Sequence, residues 1–137
     1  MWDYETCTLL VEPIGVNGIS DPFPARPWTL EWMTRHCQSR FGVTPQPHLL
    51  ASKWGFGHLD KAGASKIVFT NGMNDGWSAG GVTQSLSPTL IAVNIPDGAH
   101  HSDLSHSMPG PTDTPDVVEA RKKVKEILGR WLAETLR

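Results

Sequence analysis

Asp75 and His100 are the two side chains of this sequence best placed for acid–base chemistry. A carboxylate paired with an imidazole fixes its tautomer and stabilises the imidazolium formed when the ring takes a proton. Each of the two stands on a glycine-containing turn after an apolar run: Asp75 between Gly72 and Gly76, His100 after Gly98. The plainer alternative is an aspartate in an Asn-Asp-Gly turn and a histidine in an ordinary loop. A second pattern, Gly76-Trp77-Ser78-Ala79-Gly80, matches the G-x-S-x-G of a nucleophile elbow. That motif requires its serine directly after a strand and ahead of a helix. Here the apolar run ends near Asn71, and Gly81 to Pro88 is a poor helix start. The match is therefore read as accidental, and a small esterase using Ser78 stands only as an alternative. A third grouping, His100-His101-Ser102-Asp103-Leu104-Ser105-His106, offers metal-ligand side chains. Adjacent histidines diverge in an extended chain, and neither H-E-x-x-H nor a cysteine-bearing spacing is present, so no metal is assigned. His36, His48 and His58 are isolated and read as ordinary surface or core residues. Trp77, two residues from Asp75, either packs on a substrate ring or anchors its own loop.

The elements that must position these groups lie in the second half. Residues 66–71 and 89–95 are short β-branched and aromatic runs, stopped by Gly72 and by Pro96 with Gly98. Near-continuous apolar character predicts strands buried on both faces of a parallel sheet, and residues 72–88 are long enough for the crossover. The chain closes on a predicted helix with Thr114 as its cap, Pro115 at its first position and Glu119 early. Val117, Ala120, Val124, Ile127, Leu128, Trp131 and Leu132 make one apolar stripe, with Arg121, Lys122, Lys125 and Glu126 opposite. In open α/β sheets ligands bind at the carboxyl ends of strands, where Asp75 and His100 both fall. Acid before histidine is also the chain order of α/β-hydrolases, in which the serine precedes both. Residues 1–65 are rich in Pro, Gly and Trp and hold one clear helix: Thr29 caps it, Leu30, Met33, Cys37 and Phe41 recur along it, and Gly42 ends it.

Composition excludes several classes. At 137 residues the chain fits one domain with a sizeable core. A net charge of -2 and no basic block beyond Lys122-Lys123 argue against a nucleic-acid partner. No apolar run reaches the length of a membrane span, and the N-terminus shows no secretory signal, which predicts an intracellular protein or a start lying upstream. Cys7 and Cys37 fit either one bridge or two buried thiols.

Several segments together carry a family resemblance. The stretch from Ser65 to Val82, SKIVFTNGMNDGWSAGGV, resembles the S-N-I-I-F-S-N-G-x-L-D-P-W-S-G-G-G-V stretch of the family-28 serine peptidases, the lysosomal Pro-Xaa carboxypeptidase and dipeptidyl-peptidase II group. Asp97 to Leu104 is similar to their G-A-H-H-L-D-L, and Trp2 to Thr8 to their W-D-Y-Q-T/A-C-T. Gly42 to Pro47 is similar to G-V-x-P-R-P, and Val117 to Arg121 to their closing helix. The sequence departs from the family at Gly76, where the family has proline, at Ser102, where it has leucine, and at Ser105, where it commonly has arginine.

The resemblance implies the C-terminal part of an α/β-hydrolase fold, with the last two parallel strands and the final helix in 66–137, preceded in 1–65 by the end of a mainly helical cap region. It implies that Asp75 is the triad acid, that His100 is the triad base, that Trp77 walls the pocket for a substrate proline, and that Cys7 and Cys37 form a disulfide in an oxidising compartment. The expected activity is that of a serine exopeptidase acting on peptides with a penultimate proline, in a lysosomal, vacuolar or secreted parent protein. The nucleophilic serine belongs to a part of the family that this chain does not match, so the chain by itself is expected to be inactive. No cofactor and no membrane partner are called for. Open strand edges favour association, with the missing N-terminal part or with a second copy. The rival is a non-catalytic binding or regulatory module that keeps only this lobe.

Overall fold

The computed structural model describes residues 1–20, 22–105 and 110–136. The chain divides into two compact units, Met1–His58 and Leu59–Arg137.

The first unit holds helices α1 (Trp2–Thr6), α2 (Leu30–Phe41) and α3 (Leu49–Trp54). The Thr29 side chain accepts from the Trp32 N–H at the start of α2, and Gly42 ends it at φ 67°. A residue with a Cβ is disfavoured in that left-handed conformation, so glycine is the natural stop. The short helices α1 and α3 escape sequence reading because five or six residues cannot display a 3.6-residue period, and neither has a side-chain cap. Cys7 and Cys37 form a disulfide, with Cα atoms 5.4 Å apart. Both are fully buried, beside Met33 and the partly buried Trp28, Phe41 and Val43. Tyr4 meets Phe41 edge to face, and Asp3 takes His36 at 3.0 Å and Arg40 at 3.0 Å, which ties α1 to α2.

The second unit is built on strands β1 (Ile67–Gly72) and β2 (Leu90–Ile95), paired in parallel with Ile67 opposite Leu90 and Gly72 opposite Ile95. Helix α4 (Pro115–Thr135) packs on β2. Val117, Ala120, Ile127 and Trp131 of α4 join Val93 and Ile95 in one buried cluster, flanked by Val68, Ile91 and Val124. Two sequence expectations change here. The strands are not buried on both faces: β1 is mostly half-buried, and Ile67 is exposed. Likewise Leu128 and Leu132 of the predicted stripe are exposed. The physical reason is shared. Two strands are narrower than the apolar arc of α4, so the helix buries the centre of its stripe and leaves one margin in solvent. The first-turn acid of α4 is Asp116, and Glu119 is exposed. Along the outer edge of β2 the crossover folds back: Leu86 N–H donates to Leu90 O, and Ser85 Oγ accepts from Ala92 N–H. These bonds occupy the first part of that edge, at Leu90 and Ala92. No helix among the described residues is long and apolar enough to cross a membrane.

Candidate active site

Parallel pairing brings the two strand ends out side by side. Met73 N–H continues the ladder to Ile95 O at 3.0 Å, and Asn74 N–H donates to Gly98 O at 2.9 Å. The turn that carries Asp75 and the turn that carries His100 are thus bonded to each other through the backbone. Their approach is close enough to require glycine. A Cβ on Gly72 would stand 2.6 Å from Ala99 O and 2.7 Å from Gly98 O, and one on Gly98 would stand 2.8 Å from the Ile95 side chain. The sequence marks both glycines as strand stops, but their need for contact distance appears only in three dimensions.

Asp75 caps a 3₁₀ turn, Gly76–Gly80, its Oδ1 accepting from Trp77 N–H at 3.1 Å. Its Oδ2 meets His100 Nδ1 at 2.7 Å. An ionised carboxylate only accepts, so Nδ1 carries the hydrogen, and in the neutral ring the lone pair is then on Nε2, where it could take a proton. The hydrogen bond from His100, then that from the Trp77 N–H, holds the Asp75 carboxyl below the ordinary aspartate range, against a smaller opposing effect of burial. The Asp75 side chain is 16% exposed and that of His100 55%. The carboxylate is sheltered while the imidazole faces outward.

Trp77, Ser78, His100, His101, Asp103 and Leu104 border a cleft of about 200 Å³ over this pair. His101 sits at φ 58°, and its ring centroid lies 3.8 Å from that of His100. A histidine in the left-handed region is uncommon, and no local sequence signal announces it. Ser78 borders the same cleft, but on the 3₁₀ turn after Asp75 and not between a strand and a helix, and no hydrogen bond joins it to His100. Beneath the cleft, buried Asn71 donates through Nδ2 to Val82 O at 2.9 Å and to Asn94 Oδ1 at 3.1 Å, while Asn94 donates to Thr83 O. These two amides pin the crossover to the strand ends. A larger apolar groove along α4, past Val124, Leu128 and Leu132, holds no such acid–base pair.

Of the His100–His106 grouping, His106 lies outside the described residues, and no three of the described members bring their ligand atoms close enough together to share an ion. Asp3, Cys7 and His36 have ligand-type atoms within 4.8 Å of one another, but the Cys7 sulfur is in the disulfide and offers no thiolate.

A family model for serine carboxypeptidase S28 matches residues 1–124. The chain belongs to this family. Among its relatives, the lysosomal Pro-X carboxypeptidase of Mus musculus is 43% identical over 103 residues, covering 75% of this chain and 21% of that protein. The protein of the same name from Pongo abelii is 35% identical over 97% of this chain and 26% of its own length. The thymus-specific serine protease of Mus musculus is 30% identical over 97% of this chain and 26% of its own length. The chain therefore spans about a quarter of the length of the curated relatives it matches.

Proposed function

We propose that this chain is the C-terminal portion of a serine exopeptidase that cleaves after proline, supplying the triad acid and base to a serine held elsewhere in the parent protein. The observation that carries the reading is the 2.7 Å contact from Asp75 Oδ2 to His100 Nδ1. It leaves His100 Nε2 outward beside an open cleft. In the parent, Nε2 takes the proton of the serine hydroxyl as it attacks the scissile carbonyl, then delivers that proton to the leaving amine. Asp75 holds the ring and stabilises its charged form. Trp77, 41% exposed at the cleft, supplies a flat apolar face against which a proline ring packs. The names of the relatives support a Pro-X substrate and a lysosomal setting.

The test is expression of the complete reading frame that contains this chain, assayed on peptides ending in Pro-X. His100→Ala and Asp75→Asn are expected to lower kcat/KM by roughly three orders of magnitude or more in folded protein. Unchanged turnover in either variant would sink the proposal. The 137-residue chain alone is expected to resist a fluorophosphonate probe. Labelling that Ser78→Ala removes would instead establish the small-esterase alternative.

A further inference from the structure

Among the described residues the His100 side chain makes one hydrogen bond, to Asp75, and it is otherwise half in solvent. Its position therefore depends on the backbone of its loop. At the near end that loop is fixed to the sheet, through Gly98 N–H to Ile95 O and Asn74 N–H to Gly98 O. Next comes a tight turn: Ser102 N–H donates to Ala99 O, and Ser102 Oγ both accepts from Ala99 N–H at 2.8 Å and donates to Ala99 O at 3.0 Å. His100 and His101 are the two residues inside this turn. For Asp103 to Ser105 no backbone hydrogen bond to either strand is found among the described residues.

The far end is held from α4. Arg121 Nε donates to Asp103 O at 2.8 Å, and Nη2 donates to Ser102 O at 3.2 Å. On its remaining side the same guanidinium meets Asp113 Oδ2 through Nη1, and that oxygen also accepts from Gly110 N–H at 2.8 Å. The Asp113 side chain is 4% exposed and that of Arg121 18%. One planar fork thus grips residues 102–103 on the outgoing limb of the loop and 110–113 on the returning limb. Its geometry suits three directed bonds in one plane, which a lysine ammonium cannot reproduce. The backbone carbonyls it holds lie two and three residues after His100.

We infer that Arg121, oriented by Asp113, is a positioning residue that keeps His100 in register with Asp75 by closing the free end of its loop on α4. Two backbone contacts on the sheet side fix where the turn begins, and the guanidinium fixes where it leaves. Without the second, the Ala99–Ser102 turn can pivot about Gly98, and the 2.7 Å contact to Asp75 is the first bond to lengthen. The inference rests on the Asp75–His100 pair proposed above as the acid–base couple, but it is tested without turnover.

The experiment is a carbon-13 titration of the aspartate carboxyls in the 137-residue chain, comparing the unaltered protein with Arg121→Met, Arg121→Lys and Asp113→Asn. Asp75 is held below the ordinary range chiefly by His100, and Asp3 by His36 in the other unit. In Arg121→Met the Asp75 midpoint is expected to move up toward the ordinary value while Asp3 stays put. Arg121→Lys and Asp113→Asn, which disturb the fold less, are expected to give smaller shifts in the same direction. An Asp75 midpoint unchanged in folded Arg121→Lys and Asp113→Asn overturns the inference, whether or not Arg121→Met folds. Equal upward shifts of Asp3 and Asp75 also overturn it, because they report general loosening. A full-length enzyme indifferent to His100→Ala would refute the peptidase reading and leave this positioning result standing.

Discussion

In Met1–His58 the fully buried side chains are the two half-cystines, with Met33 beside them; in Leu59–Arg137 a cluster drawn from β2 and α4 is buried instead. One long connection separates α1 from α2, and on it Ile14, Ile19 and Phe23 are exposed and add little to a core. The second region has regular strands whose backbone groups pair with each other and a 21-residue helix laid on them. A covalent link restrains the first by limiting its unfolded chain, whereas apolar burial restrains the second. The Asp75–His100 contact lies in the second. Tenths of an ångström matter between Asp75 and His100, and a parallel ladder sets such distances better than a loop region closed by one bridge.

The comparison is sharpened first by Trp131→Ala. Removing the largest side chain of the second cluster is expected to cost about 3–5 kcal/mol, read as lost amide protection in β1 and β2. Next comes removal of the bridge by Cys7→Ala with Cys37→Ala. The chain-entropy estimate for a loop of this length is roughly 3–4 kcal/mol, expected as lost protection in α1 and α2 with β1 and β2 still protected. Simultaneous melting of both regions in either experiment would break the comparison.

Acid sets the two regions on the same footing. Asp3 and Asp75 both titrate below the ordinary aspartate value, each with a histidine hydrogen bond as the leading cause. A depressed folded-state value means the stabilisation is complete above the unfolded value, about 3.9, and is lost as pH falls through the folded one. Mild acidification to about pH 5 is therefore expected to leave both carboxylates charged and both contacts formed. Carboxyl carbon-13 shifts check this, and a midpoint at or above the ordinary value for either aspartate would contradict it.

The smallest expected effects are at the caps. Thr29→Ala and Thr114→Ala should each cost about 1 kcal/mol by denaturant unfolding. Thr114→Ala is expected to be the larger, because the Thr114 hydroxyl also donates to Asp97 Oδ1 at 2.8 Å and so links α4 to the loop ahead of His100. Equal costs would remove that loop from the account.

What could be read directly from the residues was local. Thr29 and Gly42 bound α2, Thr114 and Pro115 open α4, and the two β-branched runs become β1 and β2 within a residue at each end. Asp75 and His100 could be singled out because each follows a strand's carboxyl end, and the family resemblance brought in Cys7 with Cys37, which the structure joins. Other features had no local signature. Gly72 and Gly98 look like ordinary turn glycines until the two loops are seen to touch, and Arg121 looks like one more cation on the polar face of a helix.

The sequence by itself determined the bounds of α2, the start of α4 and, within a residue, the two strands, because caps, β-branching and glycine act on neighbouring residues. It also determined which side chains have the chemistry for a site. Only the tertiary structure decided that Asp75 and His100 stand 2.7 Å apart, that His101 adopts a left-handed backbone, and that Arg121 reaches back to Ser102 and Asp103. Those facts follow from the pairing register of β1 with β2 and from the docking of α4 on β2. Both are set by burial summed over residues far apart in the chain, which no short stretch of sequence contains.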